Sequence, residues 1–60
     1  INPEIIGVVY NLGLGYAQVG QLEQAIAHFE EYVARAEPGP QRDQALALIE
    51  RLKLRVSQGG

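Results

Sequence analysis

The side chains of this chain that could do chemistry are few, and their spacing keeps them apart. His28 is the single histidine, with Gln24 one helical turn before it and Glu31 one turn after. One imidazole and one carboxylate are too few for a metal, because protein zinc sites take three or four ligands in a closed geometry. The spacing favours a solvated histidine on a helix face. Glu30 and Glu31 are adjacent, so on a helix they diverge and cannot share the acid and base roles of a carboxylate pair. Ser57 is the sole serine and lies near the end of the chain. Cysteine is absent, which removes thiol nucleophiles, sulfur metal sites and disulfides together. Gly13-x-Gly15 follows an apolar run from Ile5, as a dinucleotide-binding loop would. The next glycine is Gly20, however, which misses the third position of G-x-G-x-x-G, and no Gly-Lys-Ser/Thr occurs. These residues imply no enzyme, no metal and no cofactor.

The composition narrows the remaining classes. A chain of 60 residues holds one small domain, and so short a chain buries only about 60% of its unfolded surface, which makes an isolated monomer marginal. Apolar residues make up 47% and charged residues 20%, the balance of a folded rather than a disordered chain. A net charge of -2 without a basic stripe argues against nucleic acid as the main ligand. No apolar run reaches the roughly 20 residues that span a bilayer, so no membrane insertion is expected. Up to Pro40 the charges are Glu4, Glu23, Glu30, Glu31 and Glu37 against Arg35. Beyond it Arg42, Arg51, Lys53 and Arg55 face Asp43 and Glu50. That mildly basic end could touch an acidic partner, but the reading preferred is that arginine and lysine there favour the negative end of a helix dipole on a solvated face. The first residue is Ile1, and the expectation is of a piece of a longer protein; the compartment stays open.

The elements that carry these residues read as helices throughout. Asn2 as cap, Pro3 in the first helical position and Glu4 at the positive end of the dipole start a first helix running to about Val19. Its apolar residues, from Ile5 and Ile6 through Tyr10, Leu14 and Tyr16 to Val19, lie nearly all round it, which requires cover on more than one side. The second helix is expected over the face of Val9, Leu12, Gly13 and Tyr16, leaving Ile6, Tyr10, Leu14 and Ala17 in search of a partner. Gly13 in a helix interior costs about 1 kcal/mol relative to alanine, so a close approach by another helix is expected there, with Ala25 as counterpart. Gly20 ends the helix in the left-handed conformation. Gln21 to Ala36 is amphipathic, with Leu22, Ala25, Ile26, Phe29, Val33 and Ala36 on one side and Gln24, His28, Glu31 and Arg35 on the other. Glu37-Pro38-Gly39-Pro40 breaks the chain. A third helix from about Gln41 to Val56 or Ser57 carries a stripe of Ala45, Leu48, Ile49, Leu52 and Val56, with Leu46 and Leu54 off it. The fold class is all-α: an antiparallel helical hairpin with a third packed helix.

Within that hairpin, Leu12-Gly13-x-x-Tyr16, Gly20, Ala25-x-x-x-Phe29 and Pro38 resemble the tetratricopeptide repeat, a helix-turn-helix unit of about 34 residues. The resemblance covers Glu4 to Pro38. Val9 stands where the repeat usually has tryptophan, Tyr32 where it has a small alanine, and Pro38 one residue late. It implies an α-solenoid fragment, residues 3–38 forming one repeat and 41–58 a capping helix. Tyr32 then fits a last repeat followed by a closing helix.

What the resemblance implies for function is protein-protein interaction. In such arrays the first helix of each repeat lines a concave groove, and the matching positions are Gly7, Tyr10, Leu14, Ala17 and Gln18. They would meet a protein or peptide, or pack on a neighbouring repeat; both readings stand. Some arrays of this family clamp carboxylate tails with lysine, arginine and asparagine. Only Asn11 matches, and the first helix has no basic residue, so an apolar or mixed ligand is expected. The alternative is a purely structural end unit of a scaffold that binds no separate ligand. With apolar surface left bare, the isolated chain is expected to form a homo-oligomer.

Overall fold

The computed structural model describes residues 3–59, with side chains from Ile5 onward. Three helices follow one another: α1 (Pro3–Gln18), α2 (Leu22–Arg35) and α3 (Pro40–Gly59). There is no strand among the described residues. Helix α1 packs on α2 and α2 on α3, with α2 in the middle of a body of 36 × 19 × 13 Å. The cap expected at Asn2 lies outside the described residues.

The α1–α2 turn is built by backbone geometry alone. Gly20 has φ +84°, the left-handed region that side chains with a Cβ enter at a cost of about 1–2 kcal/mol. That conformation lets the Gln21 amide donate to the Tyr16 carbonyl at 2.9 Å and the Gly20 amide to that of Ala17 at 3.2 Å. These two bonds are the Schellman pair, which satisfies carbonyls that a helix end otherwise leaves open. Gln21 then accepts the first bond of α2, from the Ala25 amide at 3.1 Å, without any side-chain cap.

The second break is shorter than the run of prolines and glycine suggests. Pro40 begins α3 rather than ending the linker, because the first helical amides have no partner within the helix and proline gives up nothing there. The Gly39 carbonyl accepts the Asp43 amide at 3.0 Å and so opens the helix. At its other end α3 continues to Gly59, past the last stripe residue, Val56. Adding a turn to a helix already nucleated by packing requires little further stabilisation.

The core is centred on Phe29, the largest fully buried side chain. Phe29 and Ala25 from α2 cluster with Ile49 and Leu52 from α3, and Tyr10, Leu14 and Ala17 of α1 pack against them. Gly13 provides the room: a Cβ added to it would lie 2.9 Å from the nearest atom of the Phe29 ring. The close approach expected at Gly13 is therefore present, but the group that uses it is the Phe29 ring rather than the methyl of Ala25. Beside it Val9, Tyr32 and Ala45, one from each helix, form a second cluster. Ala45 has no exposed surface, so a small residue on α3 accommodates the bulky Tyr32 on α2. The α3 stripe is as expected, with Ala45, Ile49 and Leu52 buried and Leu46 and Leu54 exposed.

Polar links join α2 to α3 at the surface. Arg42 Nε donates to the Val33 carbonyl at 3.3 Å, and Lys53 Nζ lies 3.4 Å from a Glu30 carboxylate oxygen. Both partners of that ion pair are exposed, so water screens most of its attraction.

Two of the three glycines of α1, Gly13 and Gly7, should respond oppositely to alanine. Gly13→Ala removes a propensity penalty of about 1 kcal/mol but overpacks the Phe29 ring, which costs about 1–3 kcal/mol. Gly7 has nothing within 4 Å of an added Cβ, so Gly7→Ala gains propensity without a clash. Urea unfolding should show the first variant less stable than the parent and the second more stable.

Candidate interaction surface

The apolar residues of α1 divide between two sides of the helix. Val9 and Gly13 are buried, with Ile6, Tyr10, Leu14, Tyr16 and Ala17 half-buried around them. The Tyr10 ring lies edge-on to Phe29, with centroids 5.4 Å apart, and 5.1 Å from the ring of Tyr32. Such contacts add about 0.5–1.5 kcal/mol to the area buried. Ile5, Val8, Leu12 and Val19 remain 53%, 57%, 45% and 70% exposed. This differs from the division expected from sequence, which left Ile6, Tyr10, Leu14 and Ala17 without cover and placed Leu12 under α2. Packing accounts for the difference: Tyr10, Leu14 and Ala17 lie against a cluster that α2 and α3 build together from Ala25, Phe29, Ile49 and Leu52.

Of the five positions matched to a groove, the structure brings Tyr10, Leu14 and Ala17 together on the inner side of α1, while Gly7 and Gln18 are exposed. The tyrosine is engaged with two other rings, so it serves packing whatever else approaches it.

The uncovered residues form a seam. Ile5, Val8, Leu12, Gly15 and Val19 are spaced three and four residues apart by turns, the interval that keeps side chains on one line along a helix. At about 100° per residue, that line falls on the side of α1 opposite Tyr10, Leu14 and Ala17. The Val19 amide still donates to the Gly15 carbonyl at 3.3 Å, which continues the helical bonding to the end of the seam. No Asp, Glu, Lys or Arg occurs between Ile5 and Gln18. The exposed side of α3 is the reverse, with Asp43, Gln44, Glu50, Arg51, Arg55 and Gln58 in solvent around Leu54. One flank of the three-helix body is therefore apolar and the other charged.

The seam's spacing was present in the sequence, but Gly15 interrupts it and apolar neighbours surround it. Sequence reasoning also missed the neighbour of His28. The imidazole is half-buried and stacks parallel to the Tyr16 ring, with centroids 5.2 Å apart and planes at 4°. The signal was the antiparallel register: moving from Gly13 to Tyr16 toward the Gly20 turn on α1 is matched by moving from Phe29 back to His28 on α2. Among the described residues no group of three or more His, Cys, Asp or Glu is placed to hold a metal, and no helix is long and apolar enough to cross a membrane.

Tyr10 separates packing from ligand binding. Tyr10→Ala removes a half-buried ring from contact with two others, and a loss of about 2–3 kcal/mol in unfolding free energy is expected, below the range for a fully buried aromatic. An unchanged urea midpoint would make Tyr10 a surface residue in energetic terms. Compared with protein-family models, with curated proteins and with solved structures, the chain matches none.

Proposed function

We propose that this chain is a non-catalytic protein-interaction unit of tetratricopeptide-like type, a helical hairpin closed by α3, which meets a protein partner through the outer seam of α1. The observation that carries the reading is the contrast between the two flanks. Stacked helical units need a polar outer face where the stack ends and an apolar face where the next unit joins. The charged exposed side of α3 suits the first role. The bare line of Ile5, Val8, Leu12 and Val19 suits the second. Resemblance to the repeat in Leu12-Gly13-x-x-Tyr16 and Ala25-x-x-x-Phe29 supports the same reading.

The groove positions Gly7, Tyr10, Leu14, Ala17 and Gln18 keep a secondary place in this proposal. Leu14 and Ala17 retain some exposed surface, and a peptide laid along that side would meet them beside Gln18, whose amide both donates and accepts hydrogen bonds. The seam is the stronger surface, because its apolar side chains are more exposed than Leu14 and Ala17.

A double substitution tests the seam. If Val8 and Leu12 serve an external partner, Val8→Glu with Leu12→Glu should leave the stability of the dilute monomer within about 0.5 kcal/mol of the parent, as surface changes do. A loss above about 1 kcal/mol in urea unfolding would show that these side chains support the fold itself, and the docking role would fall.

A further inference from the structure

We infer that the occupant of the α1 seam is the same seam of a second copy, the two α1 helices packing antiparallel about a two-fold axis near Leu12. The inference rests on the reading of α1 as a docking face and adds the identity of its partner.

Charge decides between the candidates. A partner that brought charged groups onto the seam would strip them of water with nothing to pair them, because α1 has no charge from Ile5 to Gln18. Within this protein the other exposed faces carry charges, those around Leu46 and Leu54 included. The α2 surface carries the Glu31–Arg35 ion pair at 3.2 Å, and the α3 surface carries Asp43, Glu50, Arg51 and Arg55. Stacking the seam of one copy on α3 of the next would bury those groups against valine and leucine, and the stack would have no closing point. Seam against seam buries no charge within that stretch, and it closes after two copies because each contributes the same surface.

Shape agrees with charge. The seam runs from Ile5 to Val19, roughly 21 Å at 1.5 Å per residue, with Leu12 as its midpoint. A two-fold axis there sets Leu12 against the Leu12 of the other copy and brings the Ile5 end of one helix to the Val19 end of the other. Gly15 has nothing within 4 Å of an added Cβ, so it leaves a bare stretch of helix backbone in the seam. With the axis at Leu12, the Val8 side chain of the other copy faces that stretch and fills the gap as a knob fills a hole. The propensity penalty of Gly15 is then offset by closer approach of the two helices.

Sedimentation equilibrium of the 60-residue chain, with helicity followed by circular dichroism, tests this at the level of mass. The parent should show a reversible monomer–dimer equilibrium. Leu12→Glu and Leu12→Lys should each weaken the dimer roughly 100-fold or more, since each places two like charges at the axis. An equimolar mixture of the two variants should recover a species of dimer mass with parental helicity, because the charges now oppose. The mixture keeps the test decisive if each variant alone unfolds. A helical monomer at all concentrations, open-ended growth beyond the dimer, a dimer unchanged by the Leu12 charges, or a mixture without recovery would each overturn the pairing. A helical monomer with an unaffected Val8/Leu12 double variant would remove the second copy while leaving the docking face; a destabilised double variant would remove both.

Discussion

The approach of the Phe29 ring to the bare backbone of Gly13 is the contact on which the rest of the molecule depends. It sets the separation of α1 and α2, and a Cβ at that point would fall 2.9 Å from the ring. With Phe29 seated, Tyr10 can lie edge-on to it and Ala25 can close the cluster with Ile49 and Leu52. A 60-residue chain has little apolar surface to bury, so one large side chain at the meeting point of three helices has a disproportionate weight. The Gly20 turn serves the same contact by fixing the register in which the two helices return past each other.

That arrangement also determines which surface is left over. Helix α1 carries more apolar side chains than two neighbours can cover, and packing selects which of them remain outside. Tyr10, Leu14 and Ala17 turn toward the core that α3 completes, and Ile5, Val8, Leu12 and Val19 face solvent. The charged exposed side of α3 closes the other flank. The interaction and closing roles we propose are thus compatible in one small body, because they use opposite flanks and different chemistry.

Three helices, their approximate limits, the Gly20 turn, the buried stripe of α3 and the Ala25–Phe29 centre of α2 were legible in the residues, whereas Tyr32, buried on α2, lay off the expected stripe. Each has a local cause: helical periodicity of apolar side chains, a glycine where the left-handed conformation is needed, and a Pro-Gly-Pro break. The start of α3 at Pro40 depended on proline's tolerance in the first turn. The division of α1 into a packed side and a free side was not legible in the same way, because its apolar residues go nearly all round and periodicity cannot choose among them.

The sequence by itself determined that this protein is helical, that it turns at Gly20 and that Gly13 requires a close neighbour. These follow from backbone preferences and short-range spacing. Only the tertiary structure decided that Phe29 rather than Ala25 fills the space at Gly13, that His28 stacks on Tyr16, and that the seam of Ile5, Val8, Leu12 and Val19 is the uncovered face. The first two depend on how α1 and α2 return past each other, and the third on the α2–α3 cluster of Ala25, Phe29, Ile49 and Leu52, against which Tyr10, Leu14 and Ala17 pack. No local pattern in α1 carries that information.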